Sequence, residues 1–255
     1  MRRAVTVELL KVRHSPVVAT TTALIVILVP LLCLGFLGVA ENGGVGALGA
    51  KAELLVAGEG WEAYLSILAQ MVAVTLFIGP GVVVTWAFGR EHAEHTFPSL
   101  FALPVPRRSI AGAKFIVLLS WGALLSVLVV AASALLGLVV GVGSTADVNL
   151  AADLARLTVA GFLTTTIALS IGLVASIGRG YLPAIGAVIL LTAAAQVAVL
   201  FGTGGWFPFA APGLYAMSGV EGVTQVGLVQ LLLVPLTASV AVWATMSWWH
   251  RAEVV

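Results

Sequence analysis

Charge is what this chain of 255 residues most lacks: Asp, Glu, Lys and Arg make up only 9% of it, against about 25% in a soluble globular domain. A folded surface in water must be solvated. The 12 basic and 11 acidic residues cannot do that for a chain that is 60% hydrophobic. A soluble enzyme, a nucleic-acid-binding domain and a disordered tail are excluded by that shortage. Cysteine is almost absent too. Cys33 is alone and lies in an apolar run, so the chain has neither a disulfide framework nor a cysteine metal site of its own. A formal net charge of +1 offers no attraction to a polyanion such as nucleic acid.

Long apolar runs take the place of charge. Six stretches carry no charged residue, 15–40, 63–89, 115–146, 157–178, 180–220 and 222–249, and each exceeds the roughly 20 apolar residues that cross a bilayer as a helix. They predict an all-α membrane protein, one transmembrane domain over 1–255 with spans at about 17–40, 63–89, 115–142, 155–177, 183–203 and 226–249. Six crossings from a cytoplasmic start place ten basic residues inside: Arg2, Arg3, Lys11, Arg13, Arg90, Arg107, Arg108, Lys114, Arg179 and Arg251. Lys51 and Arg156 alone fall outside, the asymmetry that the positive-inside rule demands. Both termini are therefore expected in the cytoplasm. The first run is long enough to span and follows about 14 polar-rich residues, so it reads as a retained span rather than a signal peptide. The second half of 180–220 sets Gly202, Gly204, Gly205, Pro208, Pro212 and Gly213 among Trp206, Phe207, Phe209 and Tyr215. That composition opposes a continuous helix. It predicts an outer, partly re-entrant segment over 204–225, between spans five and six.

Two cytoplasmic segments carry patterns of their own. In residues 2–14, Val5, Leu9 and Val12 recur at helical spacing while Arg3, Lys11, Arg13 and His14 face elsewhere. This predicts an amphipathic helix lying in the inner headgroup layer of the lipid bilayer, with Pro16 turning the chain into the first span. In residues 90–95, Arg90, Glu91, Glu94 and His95 stand where opposite charges pair along a helix that prolongs the second span. Pro98 ends that helix. Thr96 then caps a short helix through Ser99, Leu100, Phe101 and Leu103. The expected result is an apolar knob of Phe97, Leu100, Phe101 and Leu103 at the inner face, a surface that wants lipid or a protein partner.

The order Arg90, Glu91, Glu94, Thr96, Leu100, Leu103, Pro104, Arg107, Arg108 and Lys114 resembles the loop between the second and third spans of type-2 ABC transporter permeases. His95 stands where that family commonly has glycine, and Phe97-Pro98 is unusual for it. The opening Glu8-Leu9-Leu10-Lys11-Val12-Arg13 is similar to the family's N-terminal amphipathic helix. Phe207-Pro208 and Ala211-Pro212-Gly213-Leu214-Tyr215 resemble the outer segment of its short lantibiotic-immunity and bacitracin-resistance permeases. The resemblance implies a half-transporter in a bacterial cytoplasmic membrane, dimerising with itself or a sister permease. It implies two copies of a cytoplasmic ATPase, which hold ATP and Mg. These would dock on a coupling helix through Arg90, Glu91, Glu94, Thr96, Phe97, Leu100, Phe101, Pro104, Arg107 and Arg108. Export of a drug, an antimicrobial peptide or a lipid-like compound is the implied activity.

Other features narrow the choice. The chain has no Gly-x-x-x-x-Gly-Lys-Ser/Thr phosphate loop, so it reads as a non-enzymatic subunit without a cofactor, and ATP binding falls to a separate chain. No span centre holds an Asp, Glu, Lys, Arg or His to relay protons or ions. That argues against a secondary carrier or channel without closing the alternative, and a non-transporting assembly subunit stays open as well. His92 and His95 with Glu91 and Glu94 are a metal candidate by spacing, but the string His-Ala-Glu-His matches neither zinc-protease pattern and fits an ordinary polar interface helix better. Ser66, Ser120, Ser126, Ser170 and Ser176 have no histidine at comparable depth, which opposes an intramembrane serine protease. The few polar span residues, Gln70, Thr75, Thr164, Thr165, Thr166, Ser170, Thr192 and Gln196, are read chiefly as helix-to-helix hydrogen bonds. Gln70 and Gln196 are candidates for a substrate path. Gly137 with Gly141, and Gly172 with Ser176, predict close-packed helix faces.

Overall fold

The structure, a computed structural model, describes residues 2–42, 46–94, 105–144, 148–218, 220 and 222–251. With no water in hydrocarbon to satisfy backbone N–H and C=O groups, apolar runs of this length must bond internally as helices. The described elements are α1 (Arg2–Arg13), α2 (Pro16–Glu41), α3 (Gly46–Leu55), α4 (Gly60–Ala93), α5 (Arg107–Val140), α6 (Leu150–Ala168), α7 (Ile171–Ile177), α8 (Tyr181–Leu200), α9 (Ala211–Ala216) and α10 (Leu228–Arg251), with a 3-10 turn at Gly204–Trp206. Among the described residues six units are long and apolar enough to cross a membrane: α2, α4, α5, α6 with α7, α8 and α10. The all-helical, six-span expectation holds. One end of the bundle carries α1 and the clustered basic residues and is its basic end.

Ser15 and Pro16 set the first span. The Ser15 hydroxyl accepts the Val18 N–H at 3.4 Å, and Pro16 takes the first helical position, where no N–H is needed. α4 and α5 have 34 residues each, roughly 50 Å of helix, and so project well beyond a hydrocarbon core of about 30 Å. The core forms along α4, whose Trp61, Tyr64, Ile67, Leu68, Leu76 and Phe88 are fully buried against α2, α5, α6 and α8. Gly137 on α5 makes room there, since a Cβ would lie 2.7 Å from the Trp61 ring. Gly172 does the same for Phe115 at 3.1 Å. Gly141 does not pack as expected; it ends α5 in the left-handed conformation, φ 76°, with open space around it.

Three further features depart from the sequence reading. α3 fills a stretch where no element was expected, and its Ala, Leu, Lys and Glu are strong helix formers. Span four is broken at Leu169–Ser170. There Leu169, Ser170, Gly172 and Leu173 donate three residues back, at 3.0 to 3.2 Å, a tightened 3-10 joint. The Thr164, Thr165, Thr166 and Ser170 hydroxyls donate to carbonyls of their own helical segment, which competes with regular helix geometry. They do not bridge helices, and nor do Thr75 and Thr192. Bonds between helices come instead from Tyr64 Oη to Ser133 O at 2.9 Å, Trp121 Nε1 to Thr22 Oγ1 at 3.1 Å, and Trp249 Nε1 to Ser176 Oγ at 2.9 Å.

The segment between spans five and six folds back into the bundle. Ala211, Pro212, Leu214 and Ala216 are buried against α4 and α6. Phe209 meets Phe77 edge-on with ring centroids 5.7 Å apart. Phe77 stands midway along α4, so this segment descends to the middle of that helix before the chain returns to α10.

Candidate functional site

Four charged side chains meet where α1, α4 and α5 converge at the basic end. Lys114 of α5 is 2% exposed. Its ammonium reaches Glu91 Oε1 of α4 at 2.7 Å, Glu8 Oε2 of α1 at 3.2 Å and the Ala87 carbonyl at 2.9 Å. Lys11 stands 2.6 Å from Glu8 Oε1 and 3.8 Å from Glu91 Oε1. A buried ammonium is costly unless its charge is matched and its donors are met. Here two carboxylates balance two ammonium groups, and the three Lys114 protons have three acceptors. Burial pushes the Glu8 carboxyl up, but Lys114 and Lys11 together outweigh it and hold Glu8 below the ordinary carboxylate value.

An aromatic group underlies the charges. The Lys114 ammonium lies 5.9 Å from the centre of the Phe88 ring, which tilts against Phe115 at 4.7 Å and meets Trp249 edge-on at 5.9 Å. Trp249 is tied to Ser176, so α4, α5, α7 and α10 are joined one layer beneath α1. The turn 178–180 abuts the same place: a Cβ on Gly89 would lie 3.2 Å from the Gly180 carbonyl. Arg179 in that turn adopts φ 51°, a conformation that L-residues other than Asn and Asp rarely hold.

The expected coupling residues divide into those the structure places and those it does not describe. Glu91 pairs with Lys11 of α1 and Lys114 of α5, and Arg90 lies 4.9 Å over the Trp86 ring. Tertiary partners thus engage Glu91, and the expected pairing along 90–95 involves His95, which lies outside the described residues. α4 ends at Ala93 with Glu94 as its cap, before Pro98 is reached. Arg107 and Arg108 open α5, and Arg107 Nη2 donates to His250 O at 3.3 Å. His92 packs against Trp248, 5.9 Å between ring centroids. Thr96, Phe97, Leu100, Phe101 and Pro104 lie outside the described residues, as do His95, Pro98, Ser99 and Leu103.

α1 is also turned differently from expectation. Val5 and Val12 face the bundle, but so do Glu8 and Lys11, while Leu9, Leu10 and Arg13 are exposed. Glu91 and Lys114 supply a charged receiving surface, so the inward face of α1 is ionic at its centre and its apolar flank is left for lipid. Glu8, which opens the motif Glu8-Leu9-Leu10-Lys11-Val12-Arg13, was not singled out as a functional candidate, although it is an acid among Val7, Leu9 and Leu10.

The other half of the bundle holds a cavity of about 660 Å³ between α4, α6, α8 and the folded-back segment. Gln70 and Thr75 of α4, Thr164 of α6, and Thr192 and Gln196 of α8 all contribute to its wall, with Phe77, Phe209 and Met217. The two glutamines singled out from the sequence therefore border one space. Gln70 Nε2 donates to Leu55 O at 2.8 Å and Ser66 O at 3.2 Å. Such walls can hold a molecule.

Residues 4–195, from α1 into α8, match the family described as ABC-2 family transporter protein. The chain belongs to that family. No curated protein matches it. The ion group lies wholly inside the matched stretch, and the folded-back segment and α10 lie beyond it. This ABC-2 permease is thus a multi-pass membrane protein and the membrane component of an ABC transporter. Its family generally works with a cytoplasmic ATPase, and the permease component is generally not catalytic itself.

Proposed function

We propose that this permease exports a drug, an antimicrobial peptide or a lipid-like compound across a bacterial cytoplasmic membrane, as one half of a dimer with itself or a sister chain. Two copies of a cytoplasmic ATPase, holding ATP and Mg, drive it. The buried ion group is the observation that carries this reading. Glu91 precedes the connection between α4 and α5, and Lys114 follows it by two turns of α5, so both flanks end in one joint to which α1 is also bound. A push on residues 90–108 then moves α1, α4 and α5 as a unit, and the Phe88, Phe115 and Trp249 rings pass it to α7 and α10.

In this reading Thr96, Phe97, Leu100, Phe101 and Pro104 form the docking surface, flanked by Arg90, Glu94, Arg107 and Arg108. Both termini are cytoplasmic. Gln70 and Gln196 face the substrate's path. The test is co-purification and ATP-dependent transport with the ATPase from a neighbouring reading frame that carries a phosphate loop and an ABC signature. Glu94→Arg and Phe101→Asp should abolish both. Retention of both in these variants overturns the lever, and transport without nucleotide favours a secondary carrier.

A further inference from the structure

Among the described residues, the walls of the 660 Å³ cavity contain no Asp, Glu, Lys, Arg or His. A charged group entering it would leave water without meeting a counter-charge, a penalty that a neutral group escapes. Hydrogen-bonding groups are nevertheless present. Gln196 makes no hydrogen bond with any described residue, which leaves its amide open to a ligand. Thr75 and Thr192 donate their own protons to Met71 O at 2.6 Å and Val188 O at 2.8 Å, so they offer acceptor lone pairs alone. Gln70 has its amide N–H2 engaged by Leu55 and Ser66, which leaves its carbonyl oxygen. Acceptors thus outnumber donors in this wall. Phe77 and Phe209 form an apolar floor. The volume lies within the range that takes drug-sized ligands, far short of an entire antimicrobial peptide.

We propose that this cavity is a binding site for an uncharged, drug-sized amphiphile that donates hydrogen bonds through hydroxyl or amide groups. Its occupant is cargo only if the permease reading above holds, but binding itself belongs to this chain alone and is measured without the ATPase. Of the three cargo classes named there, the site takes drugs and neutral lipid-like compounds and rejects whole peptides.

The test uses the full chain in lipid nanodiscs, with radiolabelled estradiol as a neutral probe bearing two hydroxyl donors and empty nanodiscs as background. Saturable binding is expected. Estradiol dimethyl ether, which has no donor, should compete roughly tenfold less well, and estradiol sulfate and the peptide nisin should not compete. Gln196→Leu should weaken binding by about the same factor. Val74→Trp and Ala195→Phe, which fill the cavity from α4 and α8, should abolish it, while Ala193→Trp on an exposed position of α8 should not. Only variants that elute as monodisperse protein are compared. No saturable binding by the wild type, unchanged binding in both filled variants, or competition by the sulfate equal to that of estradiol each overturns the proposal. Saturable binding without ATP-driven transport upholds the site and removes the ATP-driven export reading. ATP-driven transport without estradiol binding removes the site alone.

Discussion

At the basic end Lys114, Glu91 and Glu8 are each no more than 5% exposed, and every Lys114 proton has an acceptor. In the other half Gln196 is exposed and open, and the hydroxyls of Thr75, Thr164 and Thr192 turn back on their own helices. One region therefore holds charge where burial is severe, and the other, among the described residues, holds neutral groups around a cavity. The difference separates two tasks that a bilayer makes hard to combine. A joint that passes motion between helices gains from pairs that bind in one geometry. A site that admits varied molecules needs a wall whose polar groups are incompletely committed and whose floor is adaptable.

The strongest way to break this contrast is to leave the carboxylates without their ammonium. Lys114→Met is expected to cost about 3–5 kcal/mol, because Glu8 and Glu91 would remain buried with Lys11 as their nearby cation. The loss is read as a fall in melting temperature of the purified protein. Adding Glu8→Gln and Glu91→Gln to Lys114→Met should recover much of it, since no buried carboxylate is then left uncompensated and the remaining ion, Lys11, is 29% exposed to solvent. If the triple variant melts no higher than Lys114→Met, packing rather than charge holds the joint.

Packing around α4 gives the next effect. Gly137→Ala should cost about 1–3 kcal/mol, because the new Cβ meets a Trp61 ring that is fixed edge-on against Tyr64. Gly35→Ala in α2 meets nothing within 4 Å and should be neutral or stabilising by about 0.5–1 kcal/mol. A melting comparison of the two variants checks this directly, and equal shifts would remove the close-packed face from the account.

These cases also mark what could be read from the chain beforehand. The six spans were legible because each crossing needs an unbroken charge-free run, and the folded-back segment because Gly and Pro accumulate before Phe209 and Pro212. Gly137 and Gly172 were legible as small-residue positions. Lys114 was visible as the lysine opening span three, but its partner Glu8 is 106 positions away, and no local periodicity encodes a contact at that distance. The turn of α1 that brings Glu8 and Lys11 inward depends on that contact, so the apolar stripe of Val5, Leu9 and Val12 pointed to the wrong centre. The roles of the threonines were hidden for a different reason. A hydroxyl in a helix can bond across to a neighbour or back to its own carbonyls, and composition does not distinguish the two.

Acid should loosen the ionic joint by a smaller and graded amount. Lys114 and Lys11 keep the Glu8 carboxyl below its ordinary value of 4.5 despite burial. Its contribution to docking α1 is therefore complete above pH 4.5 and is lost as pH falls through the depressed value. A fluorophore on Leu9→Cys, in a Cys33→Ser background, should gain mobility below pH 4.5 and show no change from this group between pH 5 and 8. Equal mobility at both ends of the acid range would mean that α1 is held by its valines alone.

The smallest effects test whether the hydroxyls in the open half truly stand apart from helix-to-helix bonding. Tyr64→Phe deletes a bond from α4 to α5 and should cost on the order of 0.6 kcal/mol. Thr164→Val deletes a bond within α6, to the Ala160 carbonyl, and should be close to neutral, since back-bonding of this kind slightly weakens a helix. Melting of the two variants in the same lipid separates these outcomes. A Thr164→Val loss as large as that of Tyr64→Phe would mean that the hydroxyl contributes a tie beyond its own helix, and the cavity wall would then be a committed contact rather than a surface left open for a ligand.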